Sequence, residues 1–115
     1  MRTKLVYQGK YGATEQYAKW LADELLLSAI VAENSSLNEL EENDLLIMGC
    51  SVYIGKLQLS KWFRKNQLKL EKLRLILFVV SGTPLDQSEK LNGYVQNSMP
   101  PGLFNRCQIF FVPGR

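Results

Sequence analysis

The run Asp44–Cys50 (DLLIMGC) is apolar throughout once its first residue is passed. A strand of that kind has no polar face to turn to water. It must be covered on both sides, as strands are in the parallel sheet of an α/β domain. Leu73–Val80 (LRLILFVV) is the most strand-like run of the chain, and Thr3–Gln8 (TKLVYQ), Ser28–Glu33 (SAIVAE) and Cys107–Val112 (CQIFFV) bring the set to five. Between these runs lie segments with helical spacing. In Ala13–Leu27, Tyr17, Trp20, Leu21 and Leu25 recur on one stripe, with Glu15, Lys19 and Asp23 elsewhere. Leu57–Leu68 reads as a second full helix and Asp86–Asn97 as a polar one. Asn34–Glu42 is polar and rich in capping residues, able to hold a helical turn or two. Strands joined by helical crossovers predict a mainly parallel sheet with helices on both faces.

A chain of 115 residues makes one domain, 1–115, with enough material for a core. It contains no histidine. That excludes Ser-His-Asp and Cys-His nucleophiles and any histidine acid–base role, so chemistry here would be carried by a bound cofactor. No side chain is assigned a catalytic role. Two cysteines, Cys50 and Cys107, form no C-x-x-C, and no metal site is expected. In a parallel sheet Cys50 would lie at the end of the third strand and Cys107 at the start of the fifth, too far apart for a disulfide. No apolar run approaches the ~20 residues of a membrane span, and the sequence opens in strand-like residues rather than a signal peptide, which implies a cytoplasmic protein. The net charge is +3. The densest basic stretch, Lys56–Arg74, reads as the solvated face of a helix and the turn after it. A nucleic-acid surface would want a stronger stripe with exposed aromatics, and none is expected. Trp62 and Phe63, in the same stretch, suit a buried helix face.

In such a sheet a ligand sits beyond the carboxyl ends of the strands, where the strand order reverses. Three segments follow strong strands at that edge: Gly9-Lys10-Tyr11-Gly12-Ala13-Thr14, Ser51-Val52-Tyr53-Ile54-Gly55 and Ser81-Gly82-Thr83-Pro84. In the first, glycines let the backbone approach a ligand or take positive φ, and the helix that follows offers unpaired N–H groups to a phosphate. Thr14 adds a hydroxyl and Lys10 a charge. In the second, Tyr53 is placed to stack on a flat ring. In the third, Ser81 and Thr83 supply hydroxyls on a turn set by Gly82 and Pro84. Each also has a plain structural alternative: a βα turn capped by Thr14, a loop anchored by Tyr53, a simple turn.

The pieces LVYQGKYGATEQYAKWLADEL, DLLIMGCSVYIGKL and LILFVVSGTP resemble the flavodoxin family, in particular short flavodoxin-domain proteins related to flavodoxin-type protoporphyrinogen oxidase. The resemblance implies a three-layer, doubly wound α/β domain with five parallel strands in the order 2-1-3-4-5. It implies FMN as cofactor, with its phosphate held by Gly9–Thr14 and its ring flanked by Ser51–Gly55 and Ser81–Pro84. Tyr53 would stack on the ring, and an amide near Ile54–Gly55 would bond its N5. The implied function is electron transfer with a redox partner protein or a quinone. The alternatives are a quinone-linked oxidase of the protoporphyrinogen oxidase type, hence an FMN-dependent oxidoreductase, and a flavin-free interaction module. The chain departs from the family where Gly9 and Tyr11 replace hydroxyl residues, which predicts weaker FMN binding. It is slightly basic where carrier flavodoxins are acidic, an environment that favours an anionic reduced flavin. It also stops after the fifth strand, lacking the usual last helix. Two readings follow, a truncated chain or a sheet face buried in a partner, and the expectation is a homodimer through that face.

Overall fold

The computed structural model describes residues 2–9, 12–53, 56–82 and 87–113. Its elements are β1 (Thr3–Gln8), α1 (Ala13–Leu25), β2 (Ala29–Val31), a 3-10 turn (Ala32–Asn34), β3 (Leu45–Tyr53), β4 (Lys56–Leu57), α2 (Ser60–Lys65), α3 (Gln67–Leu70), β5 (Arg74–Ser81), α4 (Ser88–Ser98), α5 (Pro101–Arg106) and β6 (Cys107–Pro113). The sheet runs β2-β1-β3-β5-β6 with every neighbour parallel. The two-residue β4 pairs antiparallel with the end of β3. This is the expected order 2-1-3-4-5 with one small strand added.

Alternation along the strands splits the core into two layers. Val6, Leu46, Met48, Cys50, Leu77 and Val79 point into the larger one, which Phe63, Leu70, Val95 and Leu103 close from the helices. Leu5, Tyr7, Ile47, Phe78 and Val80 point into the other, where α1 lies on the sheet through Ala18 and Ala22. Those two small side chains let the helix axis come close to the strands. At the base of the sheet Asp44 fixes the start of β3. Its carboxylate accepts from the backbone N–H groups of Arg2 (2.9 Å) and Glu41 (2.8 Å). Those two bonds, Glu41 first, hold the carboxyl below the usual carboxylate range.

Several sequence expectations are corrected. The third strand does not stop at Cys50. It continues to Tyr53, because Val52 still packs on the larger core and its partner across the hairpin, Leu57, is buried. Ser51, Val52 and Tyr53 are thus the end of a strand rather than a loop. The helix foreseen over Leu57–Leu68 begins at Ser60 and breaks at Asn66 (φ −108°, ψ 14°), whose side-chain amide donates to the Trp62 carbonyl at 2.9 Å. Asn34–Glu42 holds the end of the 3-10 turn and further hydrogen-bonded turns, and it buries Leu37 and Leu40. The polar helix α4 begins at Ser88; Asp86 lies outside the described residues. The short helix α5 was not anticipated. α1 ends at Leu25 because Leu26 turns left-handed (φ 58°) while the Leu27 N–H closes on the Ala22 carbonyl at 2.8 Å.

The apolar stripe of α1 is not fully buried. Trp20 is 62% and Leu25 46% exposed. They line a trough of about 450 Å³ together with Ile76, Phe78 and Phe110 of the sheet. Among the described residues α1 is the one helix on this face. The cysteines are free, Cys50 level with Val79 and Cys107 level with Leu75, with β5 between their strands. Burial pushes both thiols up to about 12. Among the described residues no helix is long and apolar enough to cross a membrane, and no cluster of metal-ligating side chains occurs.

Neighbours on β5 report which layer is closed. Leu77 is fully buried in the larger core, and Ile76 is half-buried beside the trough. Leu77→Ala is expected to cost about 2–5 kcal/mol, and Ile76→Ala less than about half of that. Urea unfolding of the two variants measures both. Equal costs would mean that the trough side is as tightly closed as the other.

Candidate functional site

The carboxyl ends of β1, β3 and β5 lie side by side. Gln8 is level with Cys50, and Ser51 is level with Val80. From β1 the chain crosses to β2 on one side, whereas β3 leads to β5 and β6 on the other. The strand order therefore reverses between β1 and β3, which is where open α/β sheets leave a crevice. The three segments picked out from the sequence all leave the sheet on this rim.

At the crevice the first two segments are tied together. Thr14, in the first turn of α1, is fully buried, and its Oγ1 lies 2.6 Å from Oγ of Ser51 near the end of β3. One hydroxyl must donate to the other, so the pair retains a single O–H to give elsewhere. Gly9 sits against the same two side chains. A Cβ there would fall 2.6 Å from Thr14 Cβ, 2.8 Å from Thr14 Oγ1 and 3.3 Å from Ser51 Oγ. The glycine found in place of a hydroxyl residue thus has a steric reason: the Thr14–Ser51 pair occupies the space a side chain would need. The rim offers its backbone rather than a side chain at position 9.

Gly12 takes φ +83° and caps α1, its carbonyl accepting from Gln16 N–H at 2.9 Å. Among the described residues no side chain caps the helix, and the first-turn N–H groups of α1 have no intrahelical partner. Glu15 stands in that turn, exposed. Its carboxylate accepts from Lys19 Nζ at 2.8 Å, which compensates its charge next to the positive helix end and raises the Lys19 pKa. Ala13 is half-buried behind Gly12.

On the second segment Ser51 is buried, Val52 is half-buried and Tyr53 ends β3 opposite Lys56. On the third, Ser81 is buried at the end of β5 and Gly82 is exposed, with open space where a Cβ would be. Lys10, Tyr11, Ile54, Gly55, Thr83 and Pro84 lie outside the described residues.

The rim also has a feature that spacing in the sequence did not reveal. A polar groove of about 660 Å³ opens beside Gln8, walled by Ser35, Asn38, Gln58, Lys61, Trp62 and Lys65. The Gln58 side-chain carbonyl is buried there without a hydrogen-bond partner among the described residues. Its walls come from three stretches of chain, and nothing in any one of them signals the groove.

A family model described as a flavodoxin domain matches residues 4–114. Among solved structures the fold is similar to that of a flavodoxin from the domain Archaea. The TM-score is 0.59 and the identity 18%, over 98% of this chain and 85% of that one. At that identity the likeness speaks to fold alone. No curated protein matches the sequence.

The hydroxyl pair gives a test at the crevice. Thr14→Val and Ser51→Ala each strand the remaining buried hydroxyl, and each is expected to cost about 1–3 kcal/mol. The double variant should cost clearly less than the two losses together. Gly9→Ser, which restores a hydroxyl at that position, should destabilise by about 1–3 kcal/mol through overlap with Thr14. Chemical unfolding followed by circular dichroism measures all four. Strictly additive losses at Thr14 and Ser51 would show two independent hydroxyls.

Proposed function

The chain belongs to the flavodoxin-domain family, and from that premise we propose that it binds FMN at the rim between β1 and β3 and serves in electron transfer. The observation that carries this reading is the junction at the switch point of the sheet: a positive-φ glycine at the start of α1 on one side and a strand end on the other, joined by the Thr14–Ser51 bond. The close packing of Gly9 on that pair fits a loop that presents main chain to a ligand.

FMN supplies one- or two-electron transfer when bound; the chain supplies position and electrostatics. Gly9, Lys10, Tyr11, Gly12, Ala13 and Thr14 would hold the phosphate, chiefly through amides of the loop and of the first turn of α1. The pairing of Glu15 with Lys19 keeps a competing negative charge compensated at that end. Ser51–Gly55 and Ser81–Pro84 would flank the ring, with Tyr53 stacking on it and the Ile54–Gly55 amide addressing N5. A net charge of +3 favours an anionic reduced form over the neutral one. The partner in this reading is a redox protein or a quinone.

Mixing the purified protein with FMN and desalting should leave yellow absorbance with quenched flavin fluorescence. Gly12→Val, which puts a β-branched residue at φ +83°, should weaken retention by about tenfold or more, a change near 1.4 kcal/mol. If micromolar protein retains no flavin, the domain is an interaction module rather than a flavoprotein.

A further inference from the structure

Charge is not spread evenly over this chain. Lys56–Arg74 holds seven of its 14 basic residues and one of its 11 acidic ones, so that stretch is net +6 and the rest of the chain net −3. The structure concentrates it further. Lys61, Arg64 and Lys65 stand at i, i+3 and i+4 of α2, all exposed, and none forms an ion pair among the described residues. Leu68 follows on α3, between Lys65 and Lys69 in sequence, and is 81% exposed.

This face leads to the rim. Lys61 and Lys65 line the polar groove that reaches Gln8, the residue before Gly9. Glu33 is the one acid on its walls among the described residues. Whatever sits in the groove is therefore next to the crevice between β1 and β3.

We propose that the α2–α3 face and this groove form the docking surface for an acidic protein, the redox partner of the rim site. The proposal rests on the flavoprotein reading for its purpose, but not for its measurement. Unpaired cations on one helix face steer an acidic surface and set its orientation. An exposed leucine among them provides the apolar contact that a protein interface buries at its centre. A nucleic acid fits less well, because single strands need aromatic platforms. Trp62 is the aromatic within the face, and it is half-buried. Its indole N–H is held by the Ala32 carbonyl at 3.1 Å, and its ring lies edge-on to Phe63 at 6.2 Å.

The test is binding of a strongly acidic [2Fe–2S] ferredoxin as probe to the full chain, followed by amide shifts in NMR, with no flavin added. A failure to dock and a failure to hold FMN are then separate results. Shifts should centre on Lys61–Leu68 and the groove. Affinity should fall about tenfold or more between roughly 20 and 200 mM salt, as screening shortens. The triple charge reversal Lys61→Glu, Arg64→Glu, Lys65→Glu should lower affinity at least about tenfold at low salt with circular dichroism unchanged, since the three side chains are exposed. Leu68→Ser should weaken binding several-fold while keeping the salt dependence, as loss of a central apolar contact does. Unchanged affinity in the triple variant, shifts confined to the trough beside α1, or tighter binding of a single-stranded oligonucleotide than of the acidic protein would overturn the proposal.

Discussion

The parallel pairing of β1 with β3 is the constraint on which the rest of this molecule depends. It sets Gln8 level with Cys50 and so brings the start of α1 against the end of β3. The Thr14–Ser51 hydroxyl bond closes that junction at 2.6 Å inside a buried space. Both hydroxyls would be costly to bury alone, and each is the other's partner. The bond therefore ties the helix terminus to the strand at the point where strand order reverses. Position 9 is left with no room for a side chain.

Two layers of unequal closure follow from the same sheet. The face carrying Met48, Leu77 and Val79 is sealed by helices that bring Phe63, Leu70 and Leu103. The α1 face is held by two alanines close to the sheet and is left open over Ile76 and Phe110. The rim, the cationic α2–α3 face and the apolar trough thus lie on different parts of one domain. A nucleotide at the rim and a protein on α2–α3 would be neighbours, whereas the trough lies on the opposite face of the sheet from α2.

Much of this was legible in the residues, because a strand apolar at every position has few places to go. DLLIMGC and LRLILFVV announce a buried parallel sheet, and a shared rim at its carboxyl edge follows from it; the strand order comes from the resemblance to the flavodoxin family. The misreadings have local causes. Ser51–Tyr53 looks like a loop because a polar residue follows Cys50, yet Val52 still reaches the core and Leu57 pairs with it from β4. The short helix α5 went unanticipated; Pro101 opens it, at a position where a missing N–H costs nothing. Trp20 belongs to the apolar stripe of α1 but faces a trough, which no periodicity can distinguish from a core. The Thr14–Ser51 bond joins residues 37 apart in sequence. The residue types fitted a phosphate loop; that their hydroxyls pair with each other is a property of the fold.

The most direct measurement is an amide-resolved NMR titration of the 15N-labelled chain with FMN. Binding at the rim predicts that the amides of Gly12 to Glu15 shift furthest, with Ser51, Val52 and Gly82 shifting along the same FMN saturation curve. Shifts confined to Ser35, Gln58 and Lys61 in the polar groove, or none at these rim amides at saturating FMN, would contradict the account.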